Sequence, residues 1–169
     1  YNSANNQPRT SKKHHSHSIR INLEESGNLL HVASKAINSS PKSKKGYVIA
    51  NIPFAQYIKG DFDFSKNWNI DERNSLVFHI GMGIAYPYGN SKVLPFEKRY
   101  FSGGPNSVRG WSVRSLGPGG YKGGEGKLNY IQHSSDIKLD LNIEYRTHLF
   151  WKFNGAAFID AGNIWNIRD

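Results

Sequence analysis

The sequence predicts an all-β chain whose antiparallel strands form part of a transmembrane β-barrel. Three observations predict it. Apolar and polar residues alternate with period two in five separate segments, several segments reach eleven residues or more, and the connections between them run long, short, long, short. Period-two alternation marks a strand with one apolar and one polar face. Strands of globular sheets average five or six residues, whereas outer-membrane barrels use longer strands joined by short turns at one end and long loops at the other.

Composition sets the outer limits. The 169 residues suit one domain with a real core, and 22 Lys+Arg against 13 Asp+Glu leave a net charge of +9. The absence of cysteine excludes a disulfide scaffold, thiolate zinc sites and cysteine nucleophiles. No run approaches the 18 or so apolar residues of a membrane-spanning helix, and the polar stretch from Tyr1 lacks the apolar centre of a signal peptide. Basic charge fits loops facing anionic lipid heads, or a nucleic-acid surface.

The first strand, about 17–25, alternates Ile19, Ile21 and Leu23 with Ser18, Arg20, Asn22 and Glu24. In the following connection Leu29, Leu30, Ala33, Ala36 and Ile37 fall at helical spacing and predict a short helix. Charged runs such as Lys12–His15 and Lys42–Lys45 fall in connections. The second strand, about 52–66, carries Phe54, Ile58, Phe62 and Phe64 on one face and Lys59, Asp61 and Asp63 on the other. The third, about 75–87, sets Leu76, Phe78, Ile80, Met82, Ile84 and Tyr86 against small or weakly polar residues. The fourth, about 135–147, is the clearest: Ile137, Leu139, Leu141, Ile143 and Tyr145 alternate with Asp136, Lys138, Asp140, Asn142, Glu144 and Arg146. So many charges on one face suit a water-filled lumen better than the wet side of a soluble sandwich. The fifth, about 150–163, turns Phe153, Ala157, Ile159 and Ala161 outward. Trp151 and Trp165 share that parity, and 14 residues of tilted strand place them about 35 Å apart along the membrane normal, near its two interfaces. Five strands cannot close a barrel and an open edge is not viable in lipid, so the expectation is a segment of a longer protein.

The connection at about 88–134 far exceeds ordinary loop lengths and implies a function. Its glycines do not match a phosphate-binding pattern: position 121 is Tyr, Lys127 is followed by Leu128, and no GxGxxG opens a helix. Ser102 and Ser107 lack a local base motif. His14, His15 and His17 read as a solvated stretch rather than a metal site. Lys98-Arg99-Tyr100-Phe101 invites a nucleic-acid reading but belongs to the same loop, and Asn38-Ser39-Ser40 is only a sequon by pattern.

Three motifs then carry a resemblance. Phe101-Ser102-Gly103-Gly104 leads into Val108-Arg109-Gly110-Trp111; Asn142-Ile143-Glu144-Tyr145-Arg146 follows; and Phe158 to Trp165 closes the set. In this order and spacing the chain resembles the BamA/TamA-like outer-membrane assembly factors, the bacterial surface antigen barrels, in their Bacteroidetes-type form. The resemblance implies a sixteen-stranded barrel preceded by POTRA domains that lie outside this segment, and a non-enzymatic role in inserting other proteins. It implies that the loop folds back into the barrel and that Arg109 reaches Glu144 and Asp160, both lumen-facing by parity. A guanidinium fork engages carboxylates bidentately, as lysine cannot. The residues alone leave Arg109 as a solvated loop arginine, Glu144 pairing with Lys138 or Arg146, and Asp160 with Lys152. Val108, Gly110, Trp111, Gly103, Gly104, Phe158 and Gly162 are the expected packing residues of the motif, Trp111 as an anchor. The small inward residues Gly81, Gly83, Ala156 and Gly162 leave room for the loop backbone.

The expected partners are outer-membrane lipids, unfolded outer-membrane clients and periplasmic or lipoprotein accessory subunits, with no nucleic acid, cofactor, metal or catalytic residue. The expected location is the bacterial outer membrane. Rival readings are a protein-secreting pore of the same superfamily, the barrel anchor of a patatin-like lipase, and a soluble basic binding module.

Overall fold

The computed structural model describes residues 15–37, 47–49, 52–119 and 133–167. The runs at 12–14 and 42–45, and 120–132 of the long loop, lie outside the described residues. Five long strands form one antiparallel sheet: β1 (Ser16–Ser26), β4 (Tyr57–Asn69), β5 (Asn74–Pro87), β6 (Ile137–Phe150) and β7 (Phe153–Trp165), in the order β1-β4-β5-β6-β7. Helix α1 (Asn28–Ile37) and a two-residue ladder of β2 (Val48–Ile49) with β3 (Ile52–Pro53) occupy the β1–β4 connection. No helix among the described residues is long and apolar enough to cross a membrane.

The strand expected from 52 begins at Tyr57. Ile52 and Pro53 pair with Ile49 and Val48 instead, and the loop after β5 captures the backbone that follows. Asn90 Nδ2 donates to the Phe54 carbonyl at 2.9 Å, and the Gln56 N–H donates to Ser91 Oγ at 3.0 Å. The last two strands also shift: β6 runs on to Phe150 and β7 starts at Phe153. Trp151 therefore sits in the turn with φ 53°, an unusual conformation for a bulky residue, just after an irregularity between His148 and Phe150. The β4–β5 turn is held by Asp71, whose carboxylate accepts from the N–H groups of Arg73 and Asn74 and from Asn74 Nδ2 at 2.7–2.8 Å.

Register aligns the two faces across the whole sheet. Arg20 lies opposite Asp63, Asp63 opposite Gly81, Gly81 opposite Asp140 and Asp140 opposite Gly162, so the polar parities of all five strands share one side. The long loop lies against that side, and burial follows it: Asp140 is 2% exposed and Ile164 0%, with Tyr57, Ala85, Leu94 and Tyr100 forming a small buried cluster. The other side is apolar and bare, with Leu23 82% and Ile159 73% exposed. A soluble sandwich hides its apolar side. This sheet covers part of its polar side and leaves its apolar side bare, as a section of a membrane-barrel wall does.

Candidate functional site: a loop held on the inner wall

The long loop returns to the sheet through Tyr100, whose backbone exchanges hydrogen bonds with Ser135 at 2.8 and 2.9 Å. Gly103 and Gly104 follow with φ near +100°, a region open to glycine and strained for other residues. They admit a tight turn, closed by the Gly104 N–H on the Trp111 carbonyl at 2.8 Å. That turn carries Val108 and Arg109 down onto β6 and β7.

Arg109 reaches both expected carboxylates. Its Nε and Nη2 donate to the two oxygens of Asp160 at 2.7 and 2.8 Å, its backbone N–H adds a third bond to Asp160 at 3.0 Å, and Nη1 donates to Glu144. The guanidinium also lies over the Phe158 ring, 3.7 Å from its centroid. Glu144 takes Arg146 Nε on its other oxygen at 2.6 Å. The pairing with Arg146 therefore accompanies Arg109 rather than replacing it. Lys138 turns instead to Asp140 at 2.7 Å. Asp160 also accepts from Asn142 Nδ2, which bonds the Ser107 carbonyl as well, at 2.8 and 2.6 Å.

Shape matches charge at this point. A Cβ on Gly162 stands 2.7 Å from the Leu139 carbonyl and 2.8 Å from Val108 Cγ2, so glycine is what lets the buried Val108 approach. Two expected packing residues behave differently. A Cβ on Gly110 meets nothing within 4 Å, and Trp111 is 50% exposed; the motif is anchored there by backbone bonds, not by the indole. Of the small inward residues, Gly83 and Gly162 admit the loop, Gly81 faces His79 and Asp63, and Ala156 is exposed. Trp151 lies near Phe153 at the short-turn end of β7 and Trp165 ends the strand at the other.

A second fastening was not read from the sequence. Tyr100 Oη donates to Asp61 at 2.5 Å and to the Gly60 carbonyl at 3.1 Å, with its ring over Gly83 and Lys59 Nζ 4.3 Å from the ring centroid. Burial, and then the adjoining Asp61 carboxylate, push the Tyr100 phenol well above its ordinary range, which keeps it a donor. Lys98 pairs with Glu24 at 2.5 Å. Parity placed Asp61 on the inner face, but no spacing in the sequence links it to Tyr100.

The buried Ser102 hydroxyl donates to Asp140 at 3.0 Å and lies 2.9 Å from Ser107 Oγ. With Asp140 already bound to Lys138, this cluster is a closed structural network rather than a nucleophile with a base. Among the described residues no group of three His, Asp or Glu side chains could hold a metal.

Comparison with known proteins places these residues in context. A family model described as the Omp85 superfamily domain matches residues 52–169. The Sorting and assembly machinery component 50 homolog of Bos taurus is 33% identical, over 93% of this chain and 34% of that protein. Its Homo sapiens counterpart is 30% identical over the same shares. The Outer membrane protein assembly factor BamA of Neisseria meningitidis is 32% identical, over 60% of this chain and 13% of that protein. The chain thus spans about a third or less of the length of these relatives.

Proposed function

The chain belongs to the Omp85 superfamily, and from that premise we propose that it helps to fold and insert other proteins into a bacterial outer membrane. The observation that carries the reading is Arg109, which ties one long loop to two adjacent strands from inside the wall. Relatives named as assembly factors and sorting-machinery components support the activity. Relatives from cattle and human extend the family beyond bacteria, so the bacterial location rests on the motif resemblance. The partners on this reading are unfolded β-barrel clients, surrounding lipid and accessory subunits.

The loop acts as an internal brace. Insertion of a client requires the wall to yield at one place without losing its shape elsewhere. A charge-assisted contact, bidentate to Asp160 and partly shielded beneath its own loop, holds β6 and β7 together. No step of bond-making is involved and no catalytic residue is needed.

Complementation with the full-length protein tests this. Arg109→Ala, and Glu144→Gln combined with Asp160→Asn, should each reduce the amount of folded client barrels in the outer membrane. Wild-type client levels in both variants would refute the brace. Normal client barrels with a missing exported soluble protein would point instead to a secretion pore.

A further inference from the structure

The structure assigns a second membrane contact to this chain: the apolar face of α1 lies on an anionic lipid surface at the rim of the sheet. At 3.6 residues per turn Leu29, Leu30, Val32, Ala33 and Ala36 fall within one arc about 160° wide. A helix on a water-soluble protein turns such an arc toward the core. Here the helix is reversed. Its buried member is Ser34, His31 packs edge-on against Tyr47 at 5.0 Å, and Leu29 is 87% and Val32 67% exposed. This is the inversion already seen in the sheet, repeated on a helix.

The position of α1 identifies what covers that arc. One backbone bond runs past the last pair of the β4–β5 ladder, the Tyr88 N–H donating to the Gln56 carbonyl at 3.1 Å. Gln56 and Tyr88 therefore keep the outward parity of Ile58 and Tyr86. Asn28 Oδ1, at the start of α1, accepts from Gln56 Nε2 at 2.9 Å and from Tyr88 Oη at 2.8 Å. Tyr88 Oη also donates to Glu25, on the outward parity of β1, at 3.1 Å. The helix is thus fastened to the outer side of the sheet, where the apolar surface of Leu23, Ile58 and Ile84 gives way to polar side chains. That transition is the level of lipid headgroups. Lys35 is exposed and flanks the apolar arc, as basic residues do on helices lying in an anionic interface. The net charge of +9 favours the same surface. The inference rests on the membrane placement of the sheet and not on the assembly role.

Spin labels measure it directly, since this sequence contributes no cysteine of its own. Leu29→Cys, Val32→Cys, Ala36→Cys, Lys35→Cys and, as a reference on the sheet, Ile159→Cys are labelled one at a time. The full-length protein is placed in vesicles of phosphatidylethanolamine and phosphatidylglycerol. Labels at 29, 32, 36 and 159 should relax more with oxygen than with a water-soluble nickel chelate, and the label at 35 the reverse. A nickel preference at 29, 32 and 36 beside an oxygen preference at 159 overturns the helix contact and leaves the barrel standing. Shielding of 29, 32 and 36 from both reagents overturns it in favour of a protein partner. A nickel preference at 159 overturns the membrane placement itself. Exchanging phosphatidylglycerol for phosphatidylcholine should lower the oxygen preference at 29, and an unchanged value overturns the anionic part.

Discussion

Asp160 and Glu144 bind the same guanidinium but carry unequal weight. Asp160 is 4% exposed at its side chain and accepts three bonds from Arg109 and one from Asn142. Glu144 keeps Arg146 when Arg109 is lost. Breaking a buried ion pair costs about 3–5 kcal/mol because a charge is left unpaired, and less where water reaches it. Asp160→Asn should therefore destabilise the barrel more than Glu144→Gln, with Arg109→Ala close to Asp160→Asn. Arg109→Lys should recover little, since an ammonium cannot span Asp160 and Glu144 in one plane. Urea unfolding of the four variants in lipid vesicles gives the order; equal losses for the two carboxylates would contradict it. The inward parity of both acids was legible from alternation alone. Their convergence on one arginine was not, because sequence periodicity fixes the face of a residue and not its height against a loop.

The loop meets the wall at two places, and the strands show why only one was foreseen. Arg109 sits in a motif; Tyr100 finds Asp61 only because the β4–β5 register sets Asp61 opposite Gly83, where the phenol ring lies. Gly83→Ala puts a Cβ 2.5 Å from that ring and should cost about 1–3 kcal/mol by overpacking. Tyr100→Phe should cost a similar amount by leaving Asp61 short of a donor. In the double variant the two losses should fall short of additive, since both act on one contact, and thermal unfolding of the four proteins measures the shortfall. Other elements divide in the same way. Alternation found β5 to within a residue, but the pairing of Ile52 and Pro53 with β2 and the captured backbone after them moved the start of β4 from 52 to 57. Helical spacing found α1, while nothing in its spacing revealed that its apolar side faces outward. The β4–β5 turn has its own acid dependence. The Asn74 side chain, and then the Arg73 N–H, hold the exposed Asp71 carboxyl below its usual range. Its folded pKa being lowered, its contribution is present above the ordinary carboxylate pKa of about 4 and fades as pH falls through the lowered value. Amide exchange at Asn74 followed down the pH scale should stay slow through pH 4 and quicken only below it.

At the scale of the molecule, the decisive property is which solvent each face of the sheet meets. The inner face combines Arg20, Lys59, Asp61, Asp63, Lys138, Asp140, Glu144 and Asp160 with a loop that covers part of it; the outer face is mostly apolar, its charged members Glu25 and Lys66 lying toward strand ends. Water on the outer side would make the arrangement unfavourable, because each exposed Ile or Leu forgoes roughly 1.5–3 kcal/mol of burial. Lipid on that side reverses the sign. The two cases part at Ile159, which is 73% exposed and near the middle of β7. In water Ile159→Arg is a surface change worth no more than about 0.5 kcal/mol. In a bilayer it places a guanidinium among acyl chains and should cost about 2–4 kcal/mol. Asn22→Arg, on the inner parity of β1 and opposite Asp61, should stay within about 0.5 kcal/mol in either solvent. Folding yield and urea midpoint of the two variants in vesicles decide between them. A neutral Ile159→Arg would mean that this wall does not face lipid, and the contacts of Arg109 with Asp160 and Glu144 would then belong to a different kind of sheet.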